Sequence, residues 1–133
     1  MKQVTAALLL KAGKILIARR PANDDLAHYW EFPGGKIEEG ETPEACLIRE
    51  MKEELDIEVS IGNFFMESIF SYQQGTIQLL AYWTTWHSGE LELMVHSEVA
   101  WVDRDELINY EFAPADIPIV DRLLTTDFFT KLD

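Results

Sequence analysis

The sequence predicts an α+β domain in which two helices pack on a mixed β-sheet. The 133 residues are 47% hydrophobic. This is enough apolar material for one compact core, and the chain is too short for two, so we expect a single domain over residues 1–133. Apolar residues recur at helical spacing near the middle of the chain and again near its end. Segments rich in β-branched and aromatic residues, divided by turn residues, fill most of the remainder.

The first part of the chain predicts three strands. Residues 2–10 and 14–19 are apolar segments separated by a glycine-containing turn. Residues 21–29 are polar and turn-rich, which is typical of a surface loop. A short third strand at residues 30–32 must end at the Pro-Gly-Gly that follows, because proline cannot donate to a strand ladder.

The central helix is predicted over residues 43–55. Thr42 is a good N-cap, Pro43 suits the first helical position, and Glu44 places negative charge near the positive end of the helix. The apolar residues that follow form one stripe at helical spacing. They are Leu47, Ile48, Met51 and Leu55.

The second half of the chain predicts four further strands and a late helix. Gly62-Asn63, Gln73-Gln74-Gly75 and Ser88-Gly89 are turn signals that divide segments rich in Ile, Val, Phe, Tyr and Trp. From Asp116 to Leu124 the apolar spacing is again helical. The four predicted strands are residues 57–61, 64–72, 76–86 and 99–102.

The formal net charge of −13 lies entirely in the later part of the chain. Residues 1–52 carry eight Lys or Arg and eight Asp or Glu, whereas residues 53–133 carry three and sixteen. Such an acidic chain repels the phosphates of long DNA or RNA, so we expect no long nucleic acid as a partner. An anionic substrate would need a divalent cation and a few placed bases, and the first part of the chain holds those bases.

Two further features bear on location. The one cysteine, Cys46, has no partner for an internal disulfide, which favours a reducing cytoplasm. The apolar run at residues 4–10 is far shorter than the roughly 20 residues of a membrane span, and no cleavage signal follows it. We therefore expect a cytoplasmic protein with no membrane partner.

Three carboxylates share one face of the central helix beside its apolar stripe. Glu50 and Glu54 stand at i and i+4, where like charges repel, and Arg49 can pair with Glu53 but cannot neutralise all three. A hard cation such as Mg²⁺ or Mn²⁺ would neutralise them, since both ions take oxygen ligands. The alternative is an ordinary solvated helix face. A Gly-Gly turn and a lysine just before the helix favour the metal site.

Residues 35–57, GKIEEGETPEACLIREMKEELDI, closely resemble the Nudix box GX5EX7REUXEEXGU, in which U is a bulky aliphatic residue. One position departs, because Asp56 stands where the pattern has glycine. That position follows the last helical turn, where a left-handed conformation is common and Asp is tolerated at a cost of about 1 kcal/mol. The matched positions are Gly35, Glu41, Arg49, Glu50, Met51, Glu53, Glu54 and Ile57.

The resemblance implies both a fold and a catalytic site. The fold is an α/β/α sandwich with a mixed sheet, and family members hydrolyse a nucleoside diphosphate linked to another group. Lys36 would contact phosphate, and Arg49 would orient the catalytic acids. Glu98, outside the box, is our candidate for a further base or ligand; the alternative is an exposed loop acid. The implied ligands of Mg²⁺ or Mn²⁺ are Glu50, Glu53, Glu54 and the carbonyl of Gly34.

Similarity extends beyond the box through VTAALLLKAGKILIARRPA, WEFPGGKIEEGETPE and FAPADIPIVDRL. These segments resemble the MutT branch of the family, which cleaves nucleoside triphosphates to the monophosphate and pyrophosphate. Cytidine-nucleotide pyrophosphohydrolases of that branch share APADIP. Asp116 fits the position that contacts the base, where an ionised carboxylate would favour cytosine, guanine, adenine or an 8-oxo purine over thymine or uracil. Alternatively, and not exclusively, Asp116 caps the last helix.

Arg20 and Phe112 are further candidates for nucleotide binding. Arg20 could reach the nucleotide, as in MutT-like proteins, or be a surface charge at a strand end. Phe112 could stack on the base, as could Phe70, Tyr72 and Trp83, although aromatic residues in strands are more often core. The three histidines have no ligand spacing, and we expect each to be satisfied or exposed.

The sequence thus predicts a Mg²⁺-dependent nucleoside triphosphate pyrophosphohydrolase that clears oxidised nucleotides such as 8-oxo-dGTP. CTP, dCTP or 5-methyl-dCTP is the alternative substrate. A non-catalytic nucleotide-binding module is the alternative of another class, but such members typically lose acids of the box, and here all are present. We expect a monomer or a homodimer.

Overall fold

A computed structural model describes residues 1–126. Within them, six strands form one sheet: β1 (Lys2–Lys11), β2 (Lys14–Arg19), β3 (Trp30–Glu31), β4 (Glu58–Tyr72), β5 (Gly75–Ser88) and β6 (Glu98–Val102). The helices are α1 (Pro43–Leu55) and α2 (Ile117–Leu123), with 3-10 turns at Asp105–Asn109 and Pro114–Asp116. None of these helices is long and apolar enough to cross a membrane.

The sheet is mixed, as predicted. Its strands lie in the order β3-β2-β1-β5-β4, and β6 lies off this path and pairs with β2. β1 runs parallel to β5, from Lys2 opposite Ile77 to Leu9 opposite Thr84. The other pairs are antiparallel. A parallel pair needs a long crossover connection, and α1 lies within the chain that joins β1 to β5.

The two helices cover opposite faces of the sheet. Ala6 and Leu8 of β1 pack in the core cluster that contains α2, whereas Ala7 and Leu9 pack in the cluster that contains α1. Successive side chains of a strand point to opposite faces, and a strand covered on both faces is apolar throughout. This explains the unbroken apolar run and confirms the predicted α/β/α sandwich.

Both ends of α1 form as the sequence predicts. The Thr42 hydroxyl accepts a hydrogen bond from the Ala45 N–H at 3.1 Å, and Pro43 occupies the first turn. Asp56 ends the helix in the left-handed conformation, with φ 57° and ψ 38°. Its N–H donates to the Lys52 carbonyl at 3.1 Å, so the residue that departs from the box pattern still ends the helix as glycine would.

β4 is one strand, so the prediction of two strands at 57–61 and 64–72 is wrong. Gly62-Asn63 does not reverse the chain. Instead, the pairing with β5 shifts register between Ile61 and Phe64. β5 continues without a break alongside. Gly62 and Asn63 of β4 together lie opposite one residue of β5, which is a β-bulge, and the ladder then resumes.

The helix-cap role of Asp116 is also wrong. Asp116 ends a 3-10 turn, its backbone is already helical at φ −83° and ψ −19°, and its side chain makes no capping hydrogen bond. An N-cap residue normally has an extended backbone that turns its side chain onto the first free N–H groups. The carboxylate therefore has another partner, described below.

Replacing Asp56 by glycine should stabilise the fold. Glycine adopts the left-handed conformation without strain, whereas loss of the exposed Lys52–Asp56 ion pair at 3.1 Å removes little. We expect Asp56→Gly to raise the free energy of urea unfolding by about 0.5–1 kcal/mol and Asp56→Ala to lower it by about 1 kcal/mol. Asp56→Asn, which tolerates the conformation, is the control for charge. Equal stability of the Gly and Ala variants would show that the left-handed backbone at position 56 carries no strain.

Candidate active site

A cleft of about 900 Å³ opens beside the start of β1 and β5. The residues that line it come from most elements of the sheet, from α1 and from the 3-10 turn before α2. Six residues singled out from the sequence are among them: Arg20, Gly34, Gly35, Glu54, Tyr72 and Asp116. The fold thus brings together residues up to 96 positions apart in the chain.

Arg49 ties the loop before α1 to the acidic face of the helix. Its guanidinium donates to both carboxylate oxygens of Glu41, at 2.7 and 2.9 Å, and to Glu50 at 2.9 Å. It also donates to the Lys36 carbonyl at 3.1 Å. Hydrogen bonding to Arg49 lowers the pKa of Glu41 to about 2. The predicted Arg49–Glu53 pair forms as a longer contact of 3.4 Å, so Arg49 mainly holds other acids.

The Gly34-Gly35 turn is held against β1 and α1. The Gly35 carbonyl accepts from the Thr5 N–H at 2.8 Å. A Cβ on Gly34 would collide with the Thr5 carbonyl, and a Cβ on Gly35 would collide with the Glu50 carboxylate. Backbone atoms therefore exclude a side chain at Gly34, whereas one at Gly35 would displace the Glu50 carboxylate that Arg49 holds.

Glu54 is the box acid that lines the cleft. Its Oε1 is buried and has no hydrogen-bond partner among residues 1–126, and the Gly34 N–H partly offsets the rise in the pKa of the carboxyl. Burial, together with the nearby charges of Glu31 and Glu50, raises the pKa of Glu54 to about 9. Burial also raises the pKa of Glu50. The surroundings of both carboxyl groups therefore disfavour their charged forms.

This arrangement fits a divalent cation. Within the described chain, no three His, Cys, Asp or Glu side chains already converge as ligands, because Arg49 holds Glu50 and the Glu53 side chain is 57% exposed. The buried, unpaired oxygen of Glu54 beside a second carboxyl is nevertheless the donor set that a hard cation prefers. A cation would also relieve the repulsion that raises both pKa values.

Asp116 lies against the strand that precedes the Pro-Gly-Gly turn. Its Oδ1 accepts from the Phe32 N–H at 3.1 Å, and the residue is 6% exposed. Burial and the nearby charge of Glu31 raise its pKa well above the usual value. Burial and the charge of Glu31 thus disfavour the ionised form, and the contact between Asp116 and the base stays a prediction. A protonated carboxyl group would both donate and accept.

The other residues singled out from the sequence lie elsewhere or are engaged. Arg20 lines the cleft, but its guanidinium holds Asp24 at 2.6 Å and Glu31 at 2.7 Å. Glu98 pairs with Arg19 at 2.9 Å. Phe112 is buried and stacks on Phe32. Lys36 is exposed. The described lining of the cleft includes none of Lys36, Glu98 and Phe112, nor Arg49, Glu50 and Glu53.

Sequence reasoning missed two residues of the cleft, Glu31 and His96. His96 is 6% exposed, and its Nε2 lies 2.8 Å from Glu31 Oε2. One signal was available: in the alternating Trp30-Glu31-Phe32 strand, Glu31 must point to the face opposite its two aromatic neighbours. The partner of Glu31, 65 residues away, had no local signal.

The NUDIX domain profile matches residues 1–123. The chain belongs to the Nudix family. It is similar to the CTP pyrophosphohydrolase of Escherichia coli, with 37% identity over 128 residues that cover 93% of this chain and 92% of that protein. It is also similar to the 8-oxo-dGTP diphosphatase of Haemophilus influenzae, with 33% identity over 123 residues that cover 92% and 90%.

Solved structures agree with the Nudix fold. The solution structure of the E. coli ORF135 protein matches with a TM-score of 0.85 at 36% identity, over 100% of this chain and 95% of that chain. The MutT protein of Methanosarcina mazei matches with a TM-score of 0.82 over 92% and 91%. Its identity is 24%, so it supports the fold alone. The predicted family, fold and hydrolase class are confirmed.

Replacing Glu54 by Gln in this Nudix chain should change how its stability depends on pH. The pKa of Glu54 is about 9 in the folded chain and about 4.3 in an unfolded one. Between these values the native state binds more protons, so stability falls as pH rises. In EDTA, Glu54→Gln should melt at a higher temperature than the wild type near pH 8.5, by roughly 2–8 °C, and at nearly the same temperature near pH 4.

The control for this experiment is Glu44→Gln, which changes an exposed acid in the first turn of the same helix. It should follow the wild-type pH dependence, as judged by circular dichroism melting. If Glu54→Gln loses stability with pH as steeply as Glu44→Gln does, the raised pKa of Glu54 is refuted.

Proposed function

We propose that this Nudix protein is a nucleoside triphosphate pyrophosphohydrolase that releases a nucleoside monophosphate and pyrophosphate. The observation that carries the proposal is that one cleft is lined both by Glu54, from the box helix, and by Asp116, from the segment before α2. An acid suited to phosphate chemistry through a cation thus shares a cavity with a buried group suited to a base. The volume of about 900 Å³ is within the range of small-molecule sites.

Nudix hydrolases generally need a divalent metal, and we propose Mg²⁺ or Mn²⁺ for this chain. The proposed ligands are Glu50, Glu53, Glu54 and the carbonyl of Gly34. When bound, the ion neutralises charge on phosphoryl oxygens and activates water. Arg49 orients Glu50 by its 2.9 Å hydrogen bond. Lys36, just after the turn, is proposed to contact phosphate.

The base is proposed to bind at Asp116. As a protonated acid, Asp116 matches a base edge that places a donor beside an acceptor. Cytosine has this arrangement at N4–H and N3, and 8-oxoguanine has it at N7–H and O6. Thymine has it too, at N3–H and O4, so the predicted preference over thymine and uracil does not follow from the acid form of Asp116 alone.

Oxidised nucleotides such as 8-oxo-dGTP are the first proposed substrates, and CTP, dCTP or 5-methyl-dCTP the second. The similarity to an 8-oxo-dGTP diphosphatase over 92% of the chain supports the first. The similarity to a CTP pyrophosphohydrolase over 93% supports the second. We further propose a cytoplasmic monomer or homodimer that acts on free nucleotides. Retention of all the box acids argues against a non-catalytic module.

Glu98, Arg20 and Phe112 have different proposed roles. Glu98 remains the candidate for an outer base or ligand, although its ion pair with Arg19 must break first. Arg20 contributes through Glu31 and Asp24, which it holds, and reaches the nucleotide only if these contacts loosen. Phe112 supports Phe32 by stacking at 5.3 Å, so its proposed effect on the base is indirect.

Hydrolysis should depend strictly on a divalent cation and on the box acids. Glu53→Gln and Glu54→Gln keep the shape of the side chain and remove its charge, so each should lower kcat by at least ~10²-fold. The measurement is pyrophosphate release with Mg²⁺ on a panel of canonical, oxidised and methylated triphosphates. Glu44→Gln, on the same helix, should retain wild-type rates. Near-wild-type rates in both box variants would refute the ligand assignment, and orthophosphate as the main primary product would refute the reaction type.

Asp116 should control which base is accepted. Asp116→Ala should lower kcat/KM for the preferred nucleotide by roughly 10- to 150-fold and reduce the differences between nucleotides, because a buried hydrogen-bonding group is lost. Asp116→Asn keeps a neutral group that donates and accepts and should retain more activity. If the Ala variant keeps the wild-type ratios between nucleotides, Asp116 does not recognise the base.

A further inference from the structure

The Glu31 carboxylate in the cleft is held by one donor on each oxygen. Oε1 accepts from Arg20 at 2.7 Å, and Oε2 lies 2.8 Å from Nε2 of His96. Only 2% of the His96 side chain is exposed, against 16% of Glu31. Hydrogen bonds to a charged group are short and strong when water is excluded. The direction of the Glu31 carboxylate is therefore set by these two side chains.

The backbone around His96 is tied to two elements of the site by three hydrogen bonds. The Met94 N–H donates to the Glu54 carbonyl at 3.0 Å, and the Glu92 N–H donates to the Leu55 carbonyl at 2.9 Å. The Ser97 N–H donates to the Arg19 carbonyl at 3.1 Å. Residues 92–97 thus form a strap across the end of α1 and the end of β2. The strap presents His96 to Glu31 from a fixed position.

Glu31 stands close to both groups that the proposed function uses. Its charge contributes to the raised pKa of Glu54 and to that of Asp116. All three carboxyl groups line the same cleft, and a negative charge on one disfavours ionisation of the others. The contacts from Arg20 and His96 therefore fix the position of a carboxylate whose charge acts on both groups.

We propose that His96 is a positioning residue, which by holding Glu31 beside Glu54 and Asp116 sets the shape and charge of the nucleotide site. This inference rests on the proposed function, since it assigns that cleft to a nucleotide. His96 acts through Glu31 and is not assigned a contact with the substrate. Replacing it should therefore weaken nucleotide binding only while Glu31 is present.

The test compares two amides of different reach at position 96. The amide of Gln extends about as far as Nε2 and can donate to Glu31, whereas that of Asn stops about where Nδ1 lies. Binding is measured by calorimetry with Mg²⁺ and a triphosphate whose α,β-bridging oxygen is replaced by CH₂. His96→Gln should bind within about threefold of the wild type, and His96→Asn should bind roughly 10- to 100-fold more weakly. His87→Asn, at an exposed histidine bonded to Ser60, is the matched control and should bind as the wild type does.

A double-mutant cycle separates positioning from general stability. Glu31→Ala and the double variant Glu31→Ala/His96→Asn should bind the analogue equally, because His96 has nothing left to hold. Equal binding by the Gln and Asn variants, or a further loss in the double variant, would overturn the proposal. A wild type that binds the analogue but releases no pyrophosphate from any triphosphate contradicts the proposed function and leaves this cycle readable. A wild type that binds no nucleotide contradicts both.

Discussion

The site depends on the repulsion between carboxylates on one face of α1 and on the way Arg49 divides it. One guanidinium neutralises Glu41 and Glu50 and also binds the Lys36 carbonyl. The planar fork of arginine suits this role, since a lysine ammonium could not grip two oxygens of Glu41 in parallel. The same contacts fold the loop of residues 36–41 back onto the helix. Arg49 is thus an organiser of the fold as much as of the charge.

Arg49 does not neutralise Glu54, which is the acid that the proposed metal chemistry needs. Glu54 lines the cleft, and its carbonyl accepts a hydrogen bond from Met94 of the strap. A buried oxygen without a partner lowers stability in the absence of a ligand. Natural proteins retain such groups where function depends on them. The instability of Glu54 and its suitability for a cation have the same cause, which is removal of carboxyls from water without a counter-charge.

The sequence predicted best those features of the fold that are determined by residues adjacent in the chain. Thr42 and Asp56 end α1 as expected, because caps depend on a few adjacent residues and on backbone conformation. The prediction of a turn at Gly62-Asn63 was wrong. Whether such a pair forms a turn or a bulge depends on how the strand pairs with its neighbour, and the residues of the pair do not determine that. The box pattern identified the acids, yet local spacing paired Arg49 with Glu53. The shorter contacts are with Glu50 and with Glu41, which the preceding loop brings close.

Asp116 shows why a residue can be identified from sequence while its surroundings cannot. The tail motif placed it correctly in the cleft, 84 positions from the Phe32 N–H that it accepts from. Its protonation depends on Glu31 and on burial, neither of which the tail contains. In the proposed site, a protonated Asp116 would pair with any base edge that has a donor beside an acceptor, in a purine or a pyrimidine alike. Tyr72 and Leu79 also line the cleft, so we propose that base size, more than hydrogen-bond pattern, selects between the two.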